Sequence, residues 1–281
     1  MKYGTHGEYD SDYVSAAERA FITVWCALGS WHNDLVLVGG LVPRYICGDL
    51  SDARELPRPV TLDTDLGIAL GADMGQYGSV KMDLQAQGFT LKAESGGPRF
   101  VRAIGNLSVP VDFLVESRPA THGAVTVADV RADIMPGIDR ALASARQLRI
   151  TGTDLYGAVQ KDLKIRVCEA GPFLALKLRA FARRQAPKDA FDILYTLRHY
   201  DDGTDAAVSA FGEEVRAGNP ACADAVTCLN QHFQNEQSSA PLRAATFILG
   251  PATPGESEDT RLRRLQIQQD MVDAGRLLQR A

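Results

Sequence analysis

The sequence predicts an α/β (α+β) chain: a mixed-sheet domain over residues 1–170, followed by a helical domain over residues 171–281. Three observations predict it. Short aliphatic or β-branched runs alternate with helix-like stretches up to "DLKIRVCE". From Gly171 onward the apolar spacing is helical almost throughout. Between these patterns, "VTLDTDLGIAL" (Val60 to Leu70) sets two aspartates two residues apart inside what otherwise reads as a buried strand. Mixed α/β followed by all-helical sequence is the signature of a sheet domain with a helical extension.

In chain order, the apolar residues Val14, Ala17, Phe21, Val24, Trp25 and Leu28 recur at helical spacing, which predicts an amphipathic helix from about Asp12 to Leu28. "DLVLVGG" (Asp34 to Gly40) reads as a short strand ending in two glycines, and "LVPRYI" can open a second helix. After the Asp63 strand comes a helix-like "YGSVKMDLQAQG", closed by Gly88, and then the β-prone runs "GFTLKAE", "RFVRAI" and "VPVDFLVES". A strand pair near "RQLRITG" and "DLKIRVCE" ends this half. The helical half is interrupted near Pro187, at "DDGT", at "GNP" and in the Pro-rich "LGPATPGESEDT". No internal repeat or low-complexity segment is evident.

With 281 residues, 45% hydrophobic and 23% charged, the chain has enough apolar material for one large domain or two modest ones. The formal net charge of -5 and pI of about 5.6 exclude a global positive field, so any nucleic-acid contact needs a local patch. Cys26, Cys47, Cys168, Cys222 and Cys228 are odd in number and lack a CxxC pair, which argues against a disulfide framework and a thiolate zinc site. The N-terminal stretch is polar and no apolar run approaches the roughly 20 residues a membrane span needs. A soluble, cytoplasmic protein without a membrane partner is expected.

Side chains alternate along a strand, so Thr61, Asp63, Asp65, Gly67 and Ala69 share one face, and Leu62, Thr64, Leu66, Ile68 and Leu70 share the other. The second face suits packing on helices, while the first is acidic, then small. Two carboxylates about 7 Å apart along a strand repel unless a cation lies between them, and hard divalent ions prefer carboxylate oxygens. A magnesium site explains the placement; turn, cap or solvated positions are the plainer explanation of a DxD triplet. Asp112, in "VPVDFLVES", is either a third carboxylate from a neighbouring strand or an exposed strand residue. Gly39 and Gly40 stand at a strand-to-helix junction, where missing side chains let a phosphate reach backbone N–H groups, although a Gly-Gly pair is often only a turn. Neither a dinucleotide fingerprint nor a P-loop spacing is present.

A strand ending in GG, a TxDxD strand some twenty residues later and an aspartate on a later strand together resemble the nucleotidyltransferase fold of the DNA polymerase β superfamily. "KLRAFARRQAPKDAFDIL" has the form K-x-x-A-x-x-x-R-x-x-x-(R/K)-D-x-x-D and resembles the C-terminal motif of the AbiEii/AbiGii-type nucleotidyltransferase toxins, with Lys177, Ala180, Arg184, Lys188, Asp189 and Asp192 in the matching positions. The resemblance spans about Leu35 to Leu194. Leu41 and Val42 follow the glycines where many superfamily members have serine, and Lys188 replaces the usual arginine, keeping the charge without a bidentate fork.

The resemblance implies a polymerase β-like core and transfer of a nucleoside monophosphate from an NTP to a hydroxyl. Asp63 and Asp65, with Asp112, would hold two magnesium ions, as in two-metal in-line displacement. Gly39, Gly40 and Thr61 would bind the nucleotide. Lys177, with Arg184 and Lys188, would neutralise its phosphates. Asp189 and Asp192 either order those cations or accept the proton of the attacking hydroxyl. Read without the family, Lys177 and Arg184 lie two helical turns apart on one face, Pro187 opens the next helix, and the plain reading is a helix pair with a solvated charged side.

The toxin resemblance implies an RNA or tRNA acceptor and a cognate antitoxin. Arg179, Arg183, Arg184, Arg261, Arg263, Arg264, Arg276 and Arg280 are candidate phosphate contacts. Two other readings stand beside it: a nucleotidyltransferase acting on a small molecule such as an antibiotic or on a protein hydroxyl, and a catalytically silent binding module.

Overall fold

The computed structural model describes residues 3–48, 56–72, 75, 78–93 and 97–281. Tyr77, at the start of one expected helix, and Glu94, at the end of one expected strand, lie outside the described residues. The chain is mixed α/β with a mixed sheet and a helical C-terminal region. It forms two compact units. One comprises Ser11–Val42 and Thr61–Glu169; the other comprises Met1–Asp10, Pro43–Val60 and Ala170–Ala281.

In the sheet unit, helix α1 (Ser11–Ala27) buries Val14, Ala17, Phe21, Val24 and Trp25, the apolar stripe that its spacing predicts. Strand β1 (Leu35–Val38) is buried at all four positions, as a central strand covered on both faces must be. The remaining strands are β2 (Thr64–Ile68), β3 (Thr90–Lys92), β4 (Arg99–Ile104), β5 (Leu107–Val115), β6 (Ala124–Val127), β7 (Val130–Ile134), β8 (Arg146–Thr153) and β9 (Val159–Val167). Their order is β3-β4-β5-β2-β1-β9-β8, with β7 joined to β5 and β6 joined to β7. The pairs β1–β9, β2–β5 and β5–β7 are parallel and the others antiparallel. Helix α2 (Val42–Ile46) follows β1 and from Pro43 onward belongs to the other unit, whereas α3 (Val80–Ala86) and α4 (Ile138–Ala143) lie in this one. The Ser79 side chain caps α3 by accepting from Met82 N–H.

The expected apolar back of the Asp63 strand is shorter than its sequence suggests. β2 ends at Ile68; Leu70 lies in a turn and is 49% exposed. On that back face the Thr64 hydroxyl donates to the Ala17 carbonyl of α1. On the front face Gly67 makes room for a neighbour, because a Cβ there would lie 2.8 Å from Val36 and 3.1 Å from Ile138 of α4. The sequence reading contains no β6, β7 or α4. The β6–β7 hairpin turns at Ala128, a residue of positive φ that carries no Gly or Pro signal.

In the helical unit, α5 (Ala170–Arg184) packs on α6 (Pro187–His199), α7 (Thr204–Arg216) and α8 (Ala221–His232). Helix α9 (Ser239–Leu249) packs on α6 and on α10 (Glu258–Gln279). Phe173, Phe181, Phe191, Phe211, Phe233 and Phe247 fill the interior. No helix among the described residues is long and apolar enough to cross a membrane.

Candidate functional site

The sheet unit brings two of the candidate aspartates side by side. Asp65 of β2 is in register with Val38, the last residue of β1, and with Asp112 of β5. Residues in register on neighbouring strands project from the same face, here with backbones about 4.8 Å apart. Asp63 stands one residue before β2, where its Oδ1 accepts the Thr61 hydroxyl at 2.5 Å. Thr61 is itself buried.

The first glycine after β1 has a specific physical reason. Gly39 has φ +73, a left-handed conformation that favours glycine, and a Cβ placed on it would lie 1.9 Å from Asp65 Oδ2 and 2.6 Å from its Cγ. The Asp65 carboxylate therefore rests directly on the Gly39 backbone. Gly40 is buried in the single turn Gly39–Leu41 that leads into α2.

Asp112 carries a partner that the sequence reading did not name. Arg99 of β4 grips it with a fork: Nε donates to Oδ1 at 2.9 Å and the second nitrogen donates to Oδ2. Burial raises the Asp112 pKa; Arg99 opposes that shift, and the charges of Asp63 and Asp133 add to it. Asp133 pairs with Arg131 at 2.7 Å. Arg99, Asp112, Arg131 and Asp133 line a small cleft with Phe100 and Phe113.

Carboxylates are the donors that magnesium selects, so Asp63 and Asp65 fit the implied ion in kind. Asp112 fits it less well while both its oxygens accept from Arg99. Among the described residues no group of three or more His, Cys, Asp or Glu side chains is gathered as a metal cage.

The helical unit assembles the other motif into one ion network. Lys177 Nζ donates to Asp192 Oδ2 at 2.6 Å and to Asp189 Oδ1 at 3.3 Å. Lys188 Nζ donates to the same Asp192 oxygen at 2.6 Å. Arg184 forks onto Asp189 at 2.6 and 2.7 Å. Asp189 and Asp192 are fully buried, Lys177 and Lys188 nearly so, and Arg184 is half exposed. The charged side of this helix pair is thus interior, unlike the solvated side that the plainer of the two sequence readings describes. Burial disfavours the charge on Lys177, yet Asp192 and Asp189 outweigh it and hold the lysine above its ordinary pKa. Among the described residues, Asp192 Oδ1 and the Thr196 hydroxyl one turn later have no hydrogen-bond partner.

Most of the arginines expected to meet phosphate are tied to acids instead. Arg179 pairs with Asp224, Arg261 with Glu258, Arg264 with Glu256, and Arg276 with Asp273. Arg183 and Arg280 are exposed.

Compared with known proteins, the chain matches no family model and no curated protein sequence.

Proposed function

We propose that this protein is a magnesium-dependent nucleotidyltransferase with a polymerase β-like core, moving a nucleoside monophosphate from an NTP to a hydroxyl of RNA, most directly a tRNA. The observation that carries the reading is the in-register pair Asp65–Asp112 beside Asp63, with the Asp65 carboxylate seated on Gly39. Magnesium held by Asp63 and Asp65 would supply Lewis-acid stabilisation of the phosphoryl oxygens. Thr61 orients Asp63, and the bare backbone at Gly39 fixes where the Asp65 oxygens point.

In the helical unit, Lys177, Arg184 and Lys188 exceed Asp189 and Asp192 by one positive charge. Arg184 is the member of that set open to a phosphate, with Lys177 and Lys188 as fixed charge behind it. Asp189 and Asp192 act here as the residues that order the cations. The resemblance to AbiEii/AbiGii-type toxins extends the proposal to a growth-arresting toxin held by a cognate antitoxin.

The Arg99–Asp112 fork favours a second reading, a catalytically silent binding module, because it occupies the third carboxylate. Purified protein incubated with magnesium and each labelled NTP, with and without total tRNA, beside Asp63→Ala and Asp65→Ala, separates the two. Label on tRNA, lost in both variants, supports the proposal. Label on a small molecule or on protein moves the acceptor, and no label with equal nucleotide binding by all three proteins supports the silent module.

A further inference from the structure

At the outer edge of the sheet, strand register creates an electrostatic conflict that the fold does not resolve internally. Arg149 of β8 is directly opposite Lys164 of β9. Like charges facing each other across an antiparallel pair destabilise it. Both residues are exposed, and neither makes an ion pair or a side-chain hydrogen bond among the described residues. Lys161 and Asp162 lie where the β8–β9 register shifts by one residue, and Asp162 there has positive φ.

Arg166 continues the row one step beyond Lys164 on the same face. Its guanidinium donates to the carbonyls of His32, Asn33, Leu35 and Leu142, and the Asp34 carboxylate is near enough to act on its charge, so Arg166 is the partly compensated member of the row. The opposite face of this hairpin is the one that meets α1. A Cβ on Gly152 would lie 2.4 Å from Ile22, and the Trp25 indole donates to the Lys164 carbonyl. Arg149 and Lys164 are thus two exposed cations side by side on a chain of net charge -5.

We infer that the β8–β9 face, through Arg149 and Lys164, docks the phosphate backbone of the RNA acceptor. A polyanion supplies the missing counter-charge along a row of cations, and the contact needs no base recognition. Arg179, Arg261, Arg264 and Arg276 of the helical unit are less suited to the task, because they already hold carboxylates. The inference rests on the RNA-acceptor reading for its meaning and names the surface that the acceptor uses.

Binding of tRNA by the full chain, measured without NTP across a range of salt, tests the inference apart from the chemistry. Arg149→Gln combined with Lys164→Gln should weaken binding roughly tenfold at moderate salt and reduce the slope of log K against log salt by about 1.4 to 1.8, the loss of two phosphate contacts. The control Lys81→Gln with Lys92→Gln removes two exposed cations of the same unit and should leave the slope unchanged. The melting temperature of the Arg149/Lys164 variant should equal or exceed that of wild type, because a repulsion has been removed. Wild-type slope in the double variant, an equal fall in the control, or no tRNA binding by wild type overturns the inference; an acidic protein is then the partner to test on this face. Failed nucleotide transfer with tRNA binding and slope as described overturns the functional reading and leaves the docking surface standing.

Discussion

Replacing Asp192 with asparagine isolates the charge at the centre of the helical unit's ion network. The side chain keeps its volume, so no cavity contributes to the effect. What disappears is the counter-charge for two buried ammonium groups, each 2.6 Å from the same oxygen. Lys177 keeps Asp189 at 3.3 Å, whereas Lys188, 2% exposed, loses the carboxylate one turn away on its own helix. Breaking a buried pair by removing one partner costs about 3–5 kcal/mol, because the other charge is left uncompensated in a medium of low dielectric constant. For a unit of this size that corresponds to a fall in melting temperature of roughly 10 °C. Urea unfolding of wild type, Asp192→Asn, Lys188→Met and the double variant, followed by circular dichroism, gives the loss and the coupling energy. The double variant should recover at least about 1 kcal/mol relative to the sum of the single losses. A loss below about 1 kcal/mol for Asp192→Asn, the range of an exposed pair, would refute the reasoning. The pH dependence has a definite sign. Lys177 is held above its ordinary value of 10.5, so its stabilising contribution is complete below that pH and is lost only as pH rises through the higher folded value. The difference between wild type and Asp192→Asn should therefore persist up to about pH 10.5.

Gly39→Ala should cost about 1–2 kcal/mol for the left-handed backbone alone. It should also displace the Asp65 carboxylate and lower nucleotide transfer on the order of 100-fold, as a 1 Å misplacement can; transfer at the wild-type rate in this variant would separate Gly39 from the site. Arg99→Gln releases Asp112, and manganese binding followed by electron paramagnetic resonance should tighten about tenfold, equivalent to 1.4 kcal/mol. An unchanged affinity would mean that Asp112 takes no part in holding the ion. Thr196→Val removes a buried hydroxyl that has no partner among the described residues, so it should be neutral or stabilising in the same urea titration. A loss above about 1 kcal/mol would reveal a partner that this geometry lacks.

Periodicity made α1 and the helical run from α5 onward legible, since each helix buries one face, and an unbroken aliphatic run marked β1, which is buried on both. The grouping of Asp65 with Asp112 required strand pairing, which a linear pattern does not encode. Part of it was nevertheless available. A two-residue turn at Gly105–Asn106 joins β4 to β5 and fixes their register, with Ile104 opposite Leu107 and Phe100 opposite Val111. One step further along that ladder, Arg99 meets Asp112, so the fork follows from reading the two β-prone runs as a hairpin. The same logic fails by one residue for β8 and β9, where an irregularity between Ile150 and Gly152 shifts the register and brings Arg149 opposite Lys164. The burial of Lys177, Lys188, Asp189 and Asp192 was harder to foresee. Charged residues seldom go inside without partners, and helical spacing shows who shares a face but not which face is covered. Gly39 illustrates the remaining gap: its place after a strand was plain, but its contact with Asp65 depends on an antiparallel neighbour more than twenty residues away.

The most direct measurement follows the fate of the two ends of a labelled triphosphate in the presence of magnesium and tRNA. Nucleotidyl transfer predicts that the α-phosphorus label is retained on the RNA, that the γ-label leaves in pyrophosphate, and that Asp65→Asn abolishes both events. A γ-label on the RNA, or α-label transferred equally by wild type and Asp65→Asn, would contradict the account.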